Sequence, residues 1–87
     1  MTITERMRAK LEAAFQPVEL EIVDESERHK GHGGYREGGE THFRVRMVSA
    51  AFDGLNRVER SRAVHKALAA ELEERVHALA LELKGAA

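Results

Sequence analysis

The chain has no cysteine and no tryptophan, and a single proline among its 87 residues. Without thiols it can form no disulfide, no cysteine-based zinc site, no thiol nucleophile and no all-cysteine iron–sulfur cluster of its own. No apolar run approaches the ~18–20 residues needed to span a bilayer. The first fifteen residues lack the apolar block of a secretory leader, and Glu5 and Glu12 dilute the basic Arg6, Arg8 and Lys10 that a transit peptide would need. The formal net charge of −1 argues against a global affinity for polyanions, so any nucleic-acid surface must be a local patch. These absences point to a soluble, cytoplasmic protein with no membrane contact. The length fits one domain, residues 1–87, with a modest core, because chains of this size bury only about 60% of their unfolded surface.

Patterned sequence is present on both sides of one long polar stretch. Thr2 with Glu5 fits a capping box, and Ile3, Met7, Leu11 and Phe15 recur every four residues, predicting a helix over 2–15. Pro17 stops that helix and pushes Gln16 toward extended geometry. Val18, Leu20 and Ile22 alternate with Glu19 and Glu21, as expected of a strand with one buried face. Phe43, Val45 and Met47 alternate with His42, Arg44 and Arg46 in a second strand that can pair antiparallel with the first. A short helical turn is expected around 51–54. Asn56 with Glu59 caps a helix whose inner face is Val58, Val64, Ala67, Leu68 and Leu72, ending near Arg75. Val76 to Lys84 reads as a last strand, with His77, Leu79, Leu81 and Leu83 on one face. The fold class expected is α+β, a three-stranded sheet with helices on one face.

The stretch from Val23 to Phe43 is glycine-rich and holds three of the five histidines. A connection this long in a small domain is either functional or unstructured. Glycines beside His29 and His32 give the backbone freedom to bring imidazoles onto a metal, although H-x-x-H spacing alone is a weak motif. His77, among leucines, must find a hydrogen-bond partner or serve another purpose. A rigid histidine on a strand and a mobile one on a loop make a sensible ligand pair, and without cysteine the other ligands must come from water or another molecule. His29, His32 and His42 could alternatively bind zinc or copper unaided. Arg57, Arg60, Arg62, His65 and Lys66 lie on or near one helix and could contact phosphates, yet no aromatic sits among them for base stacking. No activated serine, paired carboxylate or phosphate-binding glycine loop is present, so enzymatic activity is not expected.

In order and spacing, the chain resembles the BolA family over nearly its whole length. The matching segments are Phe15-Gln16-Pro17, Val23-Asp24-Glu25-Ser26 followed by His29, Gly39 to Val45, Val48-Ser49, Phe52-Asp53-Gly54, Arg60 to Val64, Leu68 to Leu72 and Val76 to Leu79. The resemblance implies a fold similar to a type II K-homology domain, in the order αββααβ. It also implies a heterodimer with a monothiol glutaredoxin and a shared [2Fe–2S] cluster. The partner would supply its active-site cysteine and the thiol of glutathione. On this side His77 and a loop histidine, His29 or alternatively His32, would be ligands. Alone, the chain is expected to be a monomer without tightly bound cofactor. Some members of the family are linked to DNA and transcription. Here the often-seen Arg-His-Arg reads Arg60-Ser61-Arg62, so the cations Arg57, Arg60, Arg62 and Lys66 remain as DNA candidates without the middle histidine.

Overall fold

The structure is a computed structural model that describes residues 1–26 and 39–87. Helix α1 spans Ile3–Phe15. Its capping box is complete: Thr2 Oγ1 accepts from the Glu5 N–H, and the Glu5 carboxylate accepts from the Thr2 N–H. The fourfold stripe buries Ile3, Met7 and Leu11 against the sheet. The helix ends at Gln16, which is left-handed at φ 46° and ψ 55° rather than extended. The left-handed cap satisfies the Gln16 N–H with the Glu12 carbonyl, and this outweighs the preference that Pro17 imposes.

Strands β1 (Glu19–Asp24), β2 (His42–Val48) and β3 (Ala78–Lys84) form one sheet in the order β1-β2-β3. β1 pairs antiparallel with β2, and β3 pairs parallel with β2. Parallel pairing needs a crossover, and here it is a 3₁₀ turn (Ala50–Phe52) followed by helices α2 (Arg57–Ala67) and α3 (Ala69–Glu74). Leu20 and Ile22 of β1, Phe43, Val45 and Met47 of β2 and Leu79, Leu81 and Leu83 of β3 all turn toward the helices. Val64 and Leu68 close the core from above, with Phe52 packed 5.0 Å from Phe15 between ring centroids. The layered α+β arrangement expected from the alternation is therefore the one found.

Four local expectations are corrected. The second long helix breaks at Leu68, whose φ −103° and ψ 17° leave the helical region, giving α2 and α3 in place of one helix. Val58 is 56% exposed: at 100° per residue it lies about 120° round the helix from Val64, off the inner stripe. Val18 is 69% exposed and precedes β1, joined to the sheet only by its N–H to the Val48 carbonyl. β3 starts at Ala78, so Val76, which is buried, and His77 belong to the connection that enters it.

One buried charge ties the helical layer together. Glu71 of α3 has no solvent exposure and receives Arg6 and Lys10 from α1, at 3.0 and 2.8 Å. Burial pushes its carboxyl up, but the hydrogen bond from Lys10, a backbone hydrogen bond at Glu71 itself, the Lys10 charge and the hydrogen bond from Arg6 together hold it below the usual carboxylate range.

Candidate histidine site at the loop end of the sheet

The site is built where β1 ends and β2 begins. Asp24 closes β1 and clips the two ends of the intervening segment. Its Oδ1 accepts from the Ser26 N–H and hydroxyl, and its Oδ2 accepts from the Glu40 N–H at 3.1 Å. Asp-x-Ser is a local side-chain-to-backbone turn signature. Ser26, itself buried, has its hydroxyl hydrogen committed to Asp24, and its oxygen accepts from the backbone N–H groups of Thr41 at 2.9 Å and His42 at 3.2 Å. The returning chain is also held from the helix side. Gly39 takes φ 71°, a conformation that glycine adopts without strain, and its carbonyl accepts from Arg75 Nε. The Glu40 carboxylate accepts from the N–H groups of Ile3 and Thr4, placing an anion at the N-terminus of α1.

Replacing Ser26 with alanine leaves two buried backbone donors without that acceptor. An expected loss of about 2 kcal/mol in urea unfolding follows, with faster hydrogen exchange at the Thr41 and His42 amides. An unchanged exchange rate at both would show that the clip does not hold.

Two imidazoles meet at this end. The His77 N–H donates to the Thr41 carbonyl at 2.7 Å, which sets His77 beside the start of β2. The rings of His42 and His77 lie 5.4 Å apart between centroids, tilted by 51°. Their environments differ. His42 is buried, with Nδ1 2.8 Å from Thr41 Oγ1. The Thr41 hydroxyl donates to Ser26 Oγ at 3.3 Å, so it bridges the buried serine and the His42 ring. His77 is exposed, so the imidazole expected among leucines stands instead at the open mouth of the sheet, just ahead of the leucine face. His29 and His32 lie outside the described residues. Among the described residues no group of three or more histidines and carboxylates could enclose a metal ion.

The cations named from the sequence divide. Arg57 and Arg60 lie within about 60° of Val64 around α2, whereas Arg62 and Lys66 lie about 160° away. Accordingly Arg57 and Arg60 line a groove of about 770 Å³ beside β3, while Arg62 and Lys66 stand exposed on the far side of the helix. The groove also takes in Arg46 of β2 and Lys84 of β3.

Comparison with known proteins gives the family. The family described as BolA-like protein matches residues 11–87. The chain belongs to the BolA-like family. A protein of Escherichia coli named DNA-binding transcriptional regulator BolA is 51% identical over 81 residues, covering 93% of this chain and 73% of that protein. The BolA domain of SufE1 from Arabidopsis thaliana superposes with a TM-score of 0.85 at 44% identity, over 94% of this chain and 90% of that one. BolA1 from the same plant superposes with a TM-score of 0.86 at 38% identity, over 99% and 94%. The sheet and helices of this BolA-like chain are thus those of the solved BolA domains. No helix among its described residues is long and apolar enough to cross a membrane.

Proposed function

We propose that this BolA-like chain is an adaptor that pairs with a monothiol glutaredoxin and shares a [2Fe–2S] cluster with it. The observation that carries the reading is the placement of His77: exposed, on a backbone anchored to β2, at the sheet end where the histidine-bearing segment leaves and returns. A ligand shared with another molecule must face outward, and its backbone must be fixed. His77 meets both conditions, and its imidazole is the donor type that suits iron in mixed nitrogen–sulfur sites. His29, or alternatively His32, supplies the second nitrogen from the segment that Asp24 and Ser26 clip at its base. Sulfur from the partner's cysteine and from glutathione completes the shell. The cluster would supply redox or transfer chemistry; the chain's own contribution is to hold His77, orient the segment and present both to the partner. His42 is a packing neighbour in this arrangement, because Thr41 engages its Nδ1 and its ring is buried.

The test is anaerobic reconstitution with a monothiol glutaredoxin, glutathione, iron and sulfide. A coloured heterodimer is expected, and the chain alone should remain nearly colourless. A titration with no change in visible absorption or circular dichroism sinks the reading. Tight zinc or copper binding by the isolated chain in calorimetry would favour an independent metal site instead.

A second reading, DNA binding, is favoured by the name of the Escherichia coli relative. The exposed Arg62 and Lys66 are the α2 cations best placed to meet phosphates of a duplex. It predicts salt-sensitive binding that weakens when both are replaced.

A further inference from the structure

The groove beside β3 has a second feature that its charges do not explain. β3 lies at the end of the strand order, with β2 on one side and no strand on the other among the described residues. The Ala78 N–H donates to Thr41 and the Lys84 carbonyl accepts from Ser49, so the even-numbered residues turn their backbone groups toward β2. By the two-residue period of a strand, the odd-numbered Leu79, Leu81 and Leu83 turn theirs outward. The Leu83 carbonyl confirms this direction, because it accepts from Arg60 Nη1 of α2. Leu79 and Leu81 present both an N–H and a C=O to the groove they line.

The groove wall is cationic. Arg57, Arg60 and Lys84 have no carboxylate partner among the described residues, and Glu82 is the single acid in the lining. The Nε of Arg60 is buried with no hydrogen-bond partner among the described residues. A buried donor of that kind calls for an acceptor. The floor is made of leucine side chains, and no Phe, Tyr or Trp lines the groove to stack a base.

We propose that this edge is a docking site for an extended acidic peptide segment, which adds to the sheet as a fourth strand beside β3. Main-chain bonds to Leu79 and Leu81 give the register, apolar side chains on one face of the peptide sit over the leucines, and carboxylates on the other meet Arg57, Arg60 and Lys84. A backbone edge flanked by cations with no carboxylate partner among the described residues fits a peptide with acidic residues better than it fits a nucleic acid, which has no strand-pairing groups to offer. The site is separate from the histidine site and does not depend on a cluster or a glutaredoxin.

The experiment uses the full chain, labelled with ¹⁵N, and a fluorescent peptide of alternating glutamate and valine. Binding is expected to slow hydrogen exchange at the Leu79 and Leu81 amides. The double variant R57E/K84E should bind about tenfold more weakly or worse, and its exposed positions leave the fold intact, which an unchanged amide spectrum elsewhere verifies. The same peptide with alternate amides N-methylated, equal in charge, should not bind. The proposal is overturned if the peptide fails to bind at millimolar concentration, if the N-methylated peptide binds equally well, or if Leu79 and Leu81 are unaffected. Binding of a single-stranded oligonucleotide in the groove to the exclusion of the peptide also overturns it.

Discussion

Exchanging His77 for alanine is expected to remove the mixed nitrogen–sulfur signature of the reconstituted complex while leaving the fold almost untouched. The two halves of this expectation rest on different features. The side chain of His77 is exposed, and the ring against it is that of His42. Its truncation opens no cavity in the core and strands no buried polar group, so the stability change should stay within about 0.5 kcal/mol. The anchor survives, because it is the backbone N–H that bonds Thr41. What is lost is one nitrogen ligand on the side of the shell that this chain provides. The comparison is made by visible circular dichroism of the complexes of wild type and variant under identical anaerobic reconstitution, alongside thermal melts of the isolated chains. Melts within about 3 °C of each other and a lost or altered visible spectrum match the ligand role. An unaltered spectrum removes His77 from the coordination shell. A variant that melts far lower would mean that the ring has a structural role which its exposure does not indicate.

Much of the scaffold behind that site is legible in the residues alone. Thr2 and Glu5 announce the start of α1 because capping is local, and the period-two leucines of β3 announce its buried face because a strand end does not alter the alternation. The parallel pairing of β3 with β2 is less direct, since it follows from the crossover formed by α2 and α3. The clip at Asp24 was hidden in plain view: Asp-x-Ser marks a turn, but that its second carboxylate oxygen reaches Glu40 depends on a contact sixteen residues away. His77 reads from the alternation as the first residue of the leucine face but stands one residue ahead of β3, in solvent, because that face gives way where the strand begins. The arginine cluster is a single run in sequence and two faces in space. Periodicity at 100° per residue separates Arg57 and Arg60 from Arg62 and Lys66, but only the position of the neighbouring strand shows that the first pair borders an open sheet edge.

Glu71 is the residue whose importance the sequence conceals most completely. It sits in an Ala-, Glu- and Leu-rich stretch with Glu73 and Glu74, where an acidic side chain is ordinarily solvated. The break at Leu68 re-aims the last helical turn, so Glu71 points inward and meets α1 across the core. Changing it to glutamine keeps its size and removes its charge, leaving Arg6 and Lys10 without their buried partner. Loss of one member of a buried pair costs about 3–5 kcal/mol. The lower figure is expected here, because the side chains of Arg6 and Lys10 are 29% and 41% exposed and Arg6 keeps Glu74. In a chain of this length about 3 kcal/mol corresponds to a drop in melting temperature of about 15 °C. The pH dependence gives an independent check. The folded state holds the Glu71 carboxyl below its unfolded value of 4.5, so its contribution is fully present above that value and is lost as pH falls through the lower folded pKa. The stability gap between wild type and Glu71→Gln should therefore be widest near neutrality and narrow steadily as the pH falls below about 4.5. Equal stabilities at neutral pH, or a gap that stays constant under acid, would show that the α1–α3 contact does not depend on the Glu71 charge.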